Sequence, residues 1–235
     1  MAAEHTSKQF DADMEAIRRS VLAMGGLVEA QIARAGKALK ATESEVVDQV
    51  FATEAQINRL QMEIDQQCTQ MIAKRQPAAV DLRLVMTFIK TVNDLERIGD
   101  ETKKIVYKAE KLYGTEWLAI VRRHDVGRML DATLEMLQMA LDALVRLDVR
   151  VTAEVAARDS AVDAQFLAIM RQLISYMMED PRTISAALEI VLIAKAIERI
   201  GDHAKNISEY VVNVVMGKDL RHATLEQIRE QVGGD

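Results

Sequence analysis

Cysteine, proline and histidine are almost missing from this 235-residue chain, and each shortage removes a class of protein. The single cysteine, Cys68, cannot close an intrachain disulfide, and one thiol is no ligand set for zinc or an iron–sulfur cluster. That usage fits a reducing compartment, so the expected location is cytoplasmic. Two prolines and ten glycines are too few for the turns of an all-β or α/β fold. The four histidines, His5, His124, His203 and His222, are scattered, and none stands three residues after a glutamate as a ferritin-like di-iron centre requires. No Gly-x-Gly-x-x-Gly turn or phosphate-binding GxxxxGK[ST] loop occurs, and no Ser/His/Asp or Cys/His set is visible. The chain is therefore expected not to be an enzyme.

Excess positive charge is missing too. A formal net charge of −6 leaves little with which to neutralise phosphates, so no nucleic-acid partner is expected. The first twenty residues contain no apolar h-region, and the most apolar stretch, 184–200, is broken by Glu189, Lys195, Glu198 and Arg199. Neither a secretory signal nor a bilayer span is predicted, and any membrane association would come through partners.

What is abundant is the material of helices, with 49% apolar residues arranged at helical spacing. Phe10, Met14, Ile17, Val21, Met24, Val28, Ile32, Ala35 and Leu39 step by three or four along one face. After a break at Thr42-Glu43-Ser44, a second stripe runs through Val46, Val50, Ile57, Leu60, Ile64, Cys68 and Met71 and ends before Pro77, which cannot continue the hydrogen-bond ladder. A third helix is predicted from about Asp81 to Tyr113, closed by Gly114. The pattern then restarts with Leu130, Leu134, Leu137, Leu141 and Leu144, and next Val155, Val162, Phe166, Ile169 and Leu173; Pro181 takes the part of Pro77, and a sixth helix runs from Arg182 to Met216.

The two halves are copies. Leu95-Glu96-Arg97-Ile98-Gly99-Asp100 returns 102 residues on as Ile197-Glu198-Arg199-Ile200-Gly201-Asp202, and Glu54 and Ile57 return 105 residues on as Asp159 and Val162. The expected fold is all-α: two tandem, pseudo-symmetric three-helix bundles of six long helices, docked end to end or side by side about a pseudo-twofold axis. The first unit is placed at 7–113, the second at 116–217, and 218–235 forms a polar tail. Trp117 and Tyr113, at the junction, are expected to pack the bundles together.

Glu96 and Asp100, like Glu198 and Asp202, are four residues apart, so each pair projects from consecutive turns of one helix face. Like charges at that spacing destabilise an isolated helix by about 0.2–0.5 kcal/mol, and each pair also encloses a helix-weakening glycine. Something should compensate. One reading is ordinary ion pairing to Arg97, Arg199, Lys103 and Lys205, with the glycines admitting neighbouring helices. The other is a cation site, since carboxylates suit Mg, Ca, Mn or oxidised Fe. Repetition leaves the two readings balanced. Glu54 and Asn58 in the second helix, and Asp159 and Asp163 in the fifth, again show oxygen donors four apart and would complete the sites. Asn58 is neutral where Asp163 is a carboxylate, so the first site is expected to be the weaker.

The paired ERIGD motifs, the Arg75-Gln76-Pro77 turn followed by Asp81-Leu82-Arg83-Leu84, and Met24-Gly25-Gly26 resemble the PhoU family over nearly the whole chain. The resemblance implies two three-helix bundles and, in some members, metal clusters on the ExxxD motifs, with Fe, Zn, Mg, Mn or Ca as candidate ions. It further implies a negative regulator of the phosphate-starvation response that links the ATPase subunit of the phosphate ABC transporter to a sensor histidine kinase. A homodimer is expected by analogy. The competing expectation is a metal-dependent hydrolase or metal store working through the same carboxylates.

Overall fold

The computed structural model describes residues 8–40, 44–115, 126–220 and 223–232. Six long helices follow the predicted periods: α1 (Lys8–Lys40), α2 (Ser44–Arg75), α3 (Ala79–Lys111), α4 (Val126–Arg146), α5 (Val151–Glu179) and α6 (Ile184–Met216). No strand occurs among the described residues, and no described helix is long and apolar enough to cross a membrane. The predicted break at Thr42-Glu43, together with Trp117, His5, His124 and His222, lies outside the described residues.

Turn chemistry sets the boundaries. Pro77 has no N–H to donate, and the chain turns out of α2 with Gln76 and Ala79 both at φ 48°. The equivalent turn after α5 is built differently. Asp180 accepts from the backbone N–H of Arg182 at 3.0 Å, Pro181 opens a single 3-10 turn over Pro181–Thr183, and α6 begins. Gly114 and Gly217, at φ 75° and 69°, occupy the left-handed region where a side chain would be strained.

Each repeat folds its three helices against one another, and the repeats then join side by side. The direction is readable from contacts between α3 and α6. Arg83 donates to the Val214 carbonyl at 3.3 Å, Lys90 lies over the Tyr210 ring at 5.3 Å, Arg199 reaches Glu101 at 3.2 Å, and Lys108 reaches Glu189 at 2.9 Å. Partner numbers fall as α3 numbers rise, so the helices are antiparallel over their full length, centred on the level of Gly99 and Gly201. α1 and α4 run antiparallel in the same way: a β-carbon on Gly25 would meet Leu141, Gln138 donates to Glu29, and a β-carbon on Gly36 would meet Leu130. These paired crossings are the pseudo-twofold expected from the repeat, and they exclude the end-to-end alternative. One contiguous apolar core threads all six helices, from Val21, Val50 and Phe88 to Leu137, Val162 and Ile193. Tyr113 packs against its edge.

The tail expected at 218–235 contains a seventh helix, α7 (Leu225–Val232). A reciprocal capping box starts it: the Thr224 N–H donates to Gln227 Oε1 at 2.8 Å and the Gln227 N–H donates to Thr224 Oγ1 at 3.3 Å. Its one buried residue, Ile228, covers Ala156, Val212 and Leu220, tying the tail to the second repeat.

Candidate cation sites at the repeated glycines

Gly99 and Gly201 face the second helix of their own repeat, and at Gly99 the missing side chain is what lets an acidic group approach. A β-carbon on Gly99 would lie 2.8 Å from Glu54 Oε2 and 3.2 Å from Gln31 Oε1; on Gly201 it would lie 3.4 Å from Asp159 Oδ1. Gly99 therefore makes room for Glu54, while at Gly201 a β-carbon would only touch Asp159 at ordinary contact distance; both carboxylates are nearly fully buried.

In the first unit Glu54 Oε2 accepts from Gln31 Nε2 at 3.0 Å, and the same amide group donates to the Val50 carbonyl at 3.3 Å. Burial pushes the Glu54 carboxyl up, with Asp100 adding to the rise and Gln31 and Lys103 opposing it. Lys103 pairs with Asp100 at 3.2 Å. Asn58 lies one turn beyond Glu54, and Glu96 one turn before Asp100, with Arg97 at 3.7 Å. Three buried oxygens have no hydrogen-bond partner: Gln31 Oε1, Glu54 Oε1 and Asn58 Oδ1.

In the second unit all four expected side chains act on one another. Burial raises the pKa of Asp163, helped by Asp159 and Glu198, and burial raises that of Asp202, helped by Glu198, Asp159 and Asp163. Lys205 Nζ lies 2.6 Å from Asp159 Oδ2, and Lys195 is paired with Glu198. Burial works against the Lys205 charge, but the hydrogen bond to Asp159 and the charges of Asp159, Glu209 and Asp202 prevail and its pKa rises. Asp159 Oδ1 and Glu198 Oε2 are buried without partners.

Ion pairs and unpartnered buried oxygens occur side by side in the same clusters. Lys103 and Lys205 do neutralise carboxylates, although Lys205 chooses Asp159 of α5 rather than Asp202 of its own helix. Arg199 crosses to Glu101 of the other repeat instead of serving the acidic pair beside it. His203 turns away from Asp202 and pairs with Asp94 of α3 at 2.7 Å, where Asn206 also donates at 3.4 Å. Yet an unpaired buried polar atom costs about 1–3 kcal/mol, and orphaned oxygens collect at both repeated sites. Among the described residues no three His, Cys, Asp or Glu side chains stand as a ready ligand set. The donors that converge on Gly99 include an amide, Gln31, which the motif spacing did not reveal. Its signal was present: a polar residue in phase with Val28, Ile32 and Ala35 on the buried face of α1.

The raised carboxylates carry a sign. Their folded-state pKa values lie above the unfolded ones, so their contribution to stability is complete below the ordinary carboxylate range and is lost as pH rises through the raised values. Chelator-treated protein should therefore melt at higher temperature when pH is lowered from neutrality to about 5. Thermal scans across that range check this, and the Asp163→Asn/Asp202→Asn double variant should flatten the rise.

Comparison with known proteins finds the same duplication. The PhoU domain model matches twice, at residues 21–109 and 126–211, and each match contains one glycine-centred cluster. The chain belongs to the PhoU family. The phosphate-specific transport system accessory protein PhoU homolog of Pseudomonas aeruginosa is 43% identical over 230 residues, covering 97% of this chain and 94% of the relative. Phosphate-specific transport system accessory protein PhoU of Escherichia coli K12 is 40% identical over 232 residues, covering 98% and 95%. The crystal structure of PhoU from Pseudomonas aeruginosa superposes with a TM-score of 0.83 at 42% identity, covering 89% of this chain and all of that one. The phosphate transport system regulatory protein PhoU from Streptococcus pneumoniae does so with a TM-score of 0.78 at 25% identity, covering 89% and 98%. The side-by-side PhoU architecture thus has solved counterparts.

Proposed function

We propose that this protein is a cytoplasmic negative regulator of the phosphate-starvation response, acting as an adaptor between the ATPase subunit of the phosphate ABC transporter and a sensor histidine kinase. The observation that carries the reading is family membership over both repeats, with full-length relatives named as accessory proteins of phosphate-specific transport. In this reading phosphate is sensed indirectly, the folded surface of the two repeats holds the partners, and the chain performs no chemistry of its own. A homodimer would present that surface twice.

The oxygen-rich clusters would hold hard cations. Glu54, Asn58, Glu96 and Asp100 serve one unit, and Asp159, Asp163, Glu198 and Asp202 the other. The orphaned buried oxygens at both sites support the assignment, and a donor set without sulfur or imidazole favours Mg, Mn, Ca or oxidised Fe over Zn. A bound cation would supply charge neutralisation between α2 and α3 in the first repeat and between α5 and α6 in the second.

Deletion of the gene should give alkaline phosphatase expression at high phosphate, restored to repression by the wild-type copy, and the tagged protein should co-purify with the ATPase subunit and the kinase. Normal repression in the deletion strain together with failure to retain either partner overturns the adaptor reading. Cation-dependent phosphoester turnover by the pure protein, abolished by Glu198→Gln, would establish the hydrolase instead.

A further inference from the structure

The two clusters are copies in sequence but are compensated by different groups. In the second unit ammonium groups already occupy the carboxylates, Lys205 on Asp159 and Lys195 on Glu198. The first unit places its cations differently, with Lys103 on Asp100 and Arg97 near Glu96, and none paired with the carboxylate that faces the glycine. Lys103, the repeat equivalent of Lys205, pairs with Asp100 of its own helix, so Glu54 receives a neutral amide donor, Gln31 Nε2, where Asp159 receives a cation. The equivalent of Lys195 is Asn93, whose amide oxygen accepts from Gln61 at 3.0 Å.

The helix facing each glycine differs as well. Gln31 of α1 is fully buried at Gly99, whereas Thr133 and Met136 of α4 face Gly201, and the Thr133 hydroxyl is spent on the Leu130 carbonyl at 2.9 Å. Gln31 Nε2 is held by two acceptors, Val50 O and Glu54 Oε2. The opposite amide orientation would set oxygen against carboxylate and carbonyl, so the orientation is determined and Oε1 is left toward Gly99 without a partner. Three unpaired buried oxygens therefore belong to the cluster with the fewer carboxylates.

We infer that the first unit is the site a hard divalent cation fills first, with Gln31 as an oxygen donor supplied by α1, because Glu54 at Gly99 is held only by a neutral amide whereas Asp159 at Gly201 is already held by the Lys205 ammonium. A cation reaches Asp159 only by displacing Lys205. This ranking rests on the reading that the clusters take cations, and it inverts the order expected from counting carboxylates. An amide oxygen is an ordinary ligand for such ions, and an ammonium already in contact with a carboxylate is a competitor for it.

The test is a Mn2+ titration of the full-length, chelator-stripped protein, followed by the electron paramagnetic resonance signal of free Mn2+. Wild-type protein should show a tighter and a weaker class of site. Gln31→Leu should weaken the tighter class by about tenfold or more and leave the weaker one in place. Lys205→Met should strengthen the weaker class by a similar factor and leave the tighter one unchanged. Gln31→Glu, which keeps an oxygen donor at the same position, should retain the tighter class and so separates loss of a ligand from loss of fold. A tighter class untouched by Gln31→Leu, or a weaker class untouched by Lys205→Met, overturns the ranking. Absence of any Mn2+ binding by wild-type protein overturns the cation reading itself, which is a different outcome.

Discussion

Replacing Phe88 with alanine is expected to cost about 3–5 kcal/mol, a large share of the roughly 5–15 kcal/mol that a folded domain has in hand. Phe88 is 1% exposed and belongs to the contiguous core. It borders a small space shared with Val21 and Leu22 of α1 and Leu144 and Val145 of α4, so the cavity opens where the two repeats meet. Urea denaturation should show one transition moved to lower denaturant, because no separate core remains to hold either repeat. A split curve, with the second half unfolding at its original midpoint, would show that the repeats are energetically independent.

The adjacent glycines of α1 should respond with opposite signs. A β-carbon on Gly25 would lie 2.7 Å from Leu141 Cδ1, and Leu141 is itself buried in the α1–α4 contact. Overpacking of that kind costs about 1–3 kcal/mol, against a helix-propensity gain of about 1 kcal/mol, so Gly25→Ala should lower the melting temperature. Gly26 meets nothing within 4 Å and opens onto a groove of about 670 Å³ between α1 and α4. Gly26→Ala should raise stability by up to about 1 kcal/mol. Matched thermal scans of the two variants decide it, and a shift of the same sign in both would contradict the close crossing of α1 and α4.

Much of this architecture is local and therefore legible in the sequence. Apolar residues at steps of three and four define the buried faces from Phe10 to Leu39 and from Val46 to Met71, because side chains at that spacing share one side of a helix. Pro77, Pro181 and Gly217 mark helix ends through constraints that belong to single residues, and Gly114 turns the chain just beyond α3. The two ERIGD segments identify the repeat, and the grouping of Asp159, Asp163, Glu198 and Asp202 follows from their four-residue spacings on two helices that must pack. Gln31 escaped that reasoning because its partners, Val50, Glu54 and Gly99, come from two other helices.

The sequence by itself determined an all-helical chain, its duplication, its family and the acidic faces at Glu96–Asp100 and Glu198–Asp202, since these depend on spacing within one helix. Only the tertiary structure decided that the repeats lie side by side, that Lys205 serves Asp159 while Lys103 stays on Asp100, and that His203 pairs with Asp94. Those outcomes depend on how helices cross. A crossing is set by the summed shape of two faces, including the gaps left at Gly25 and Gly99, and no single stretch of sequence contains both faces.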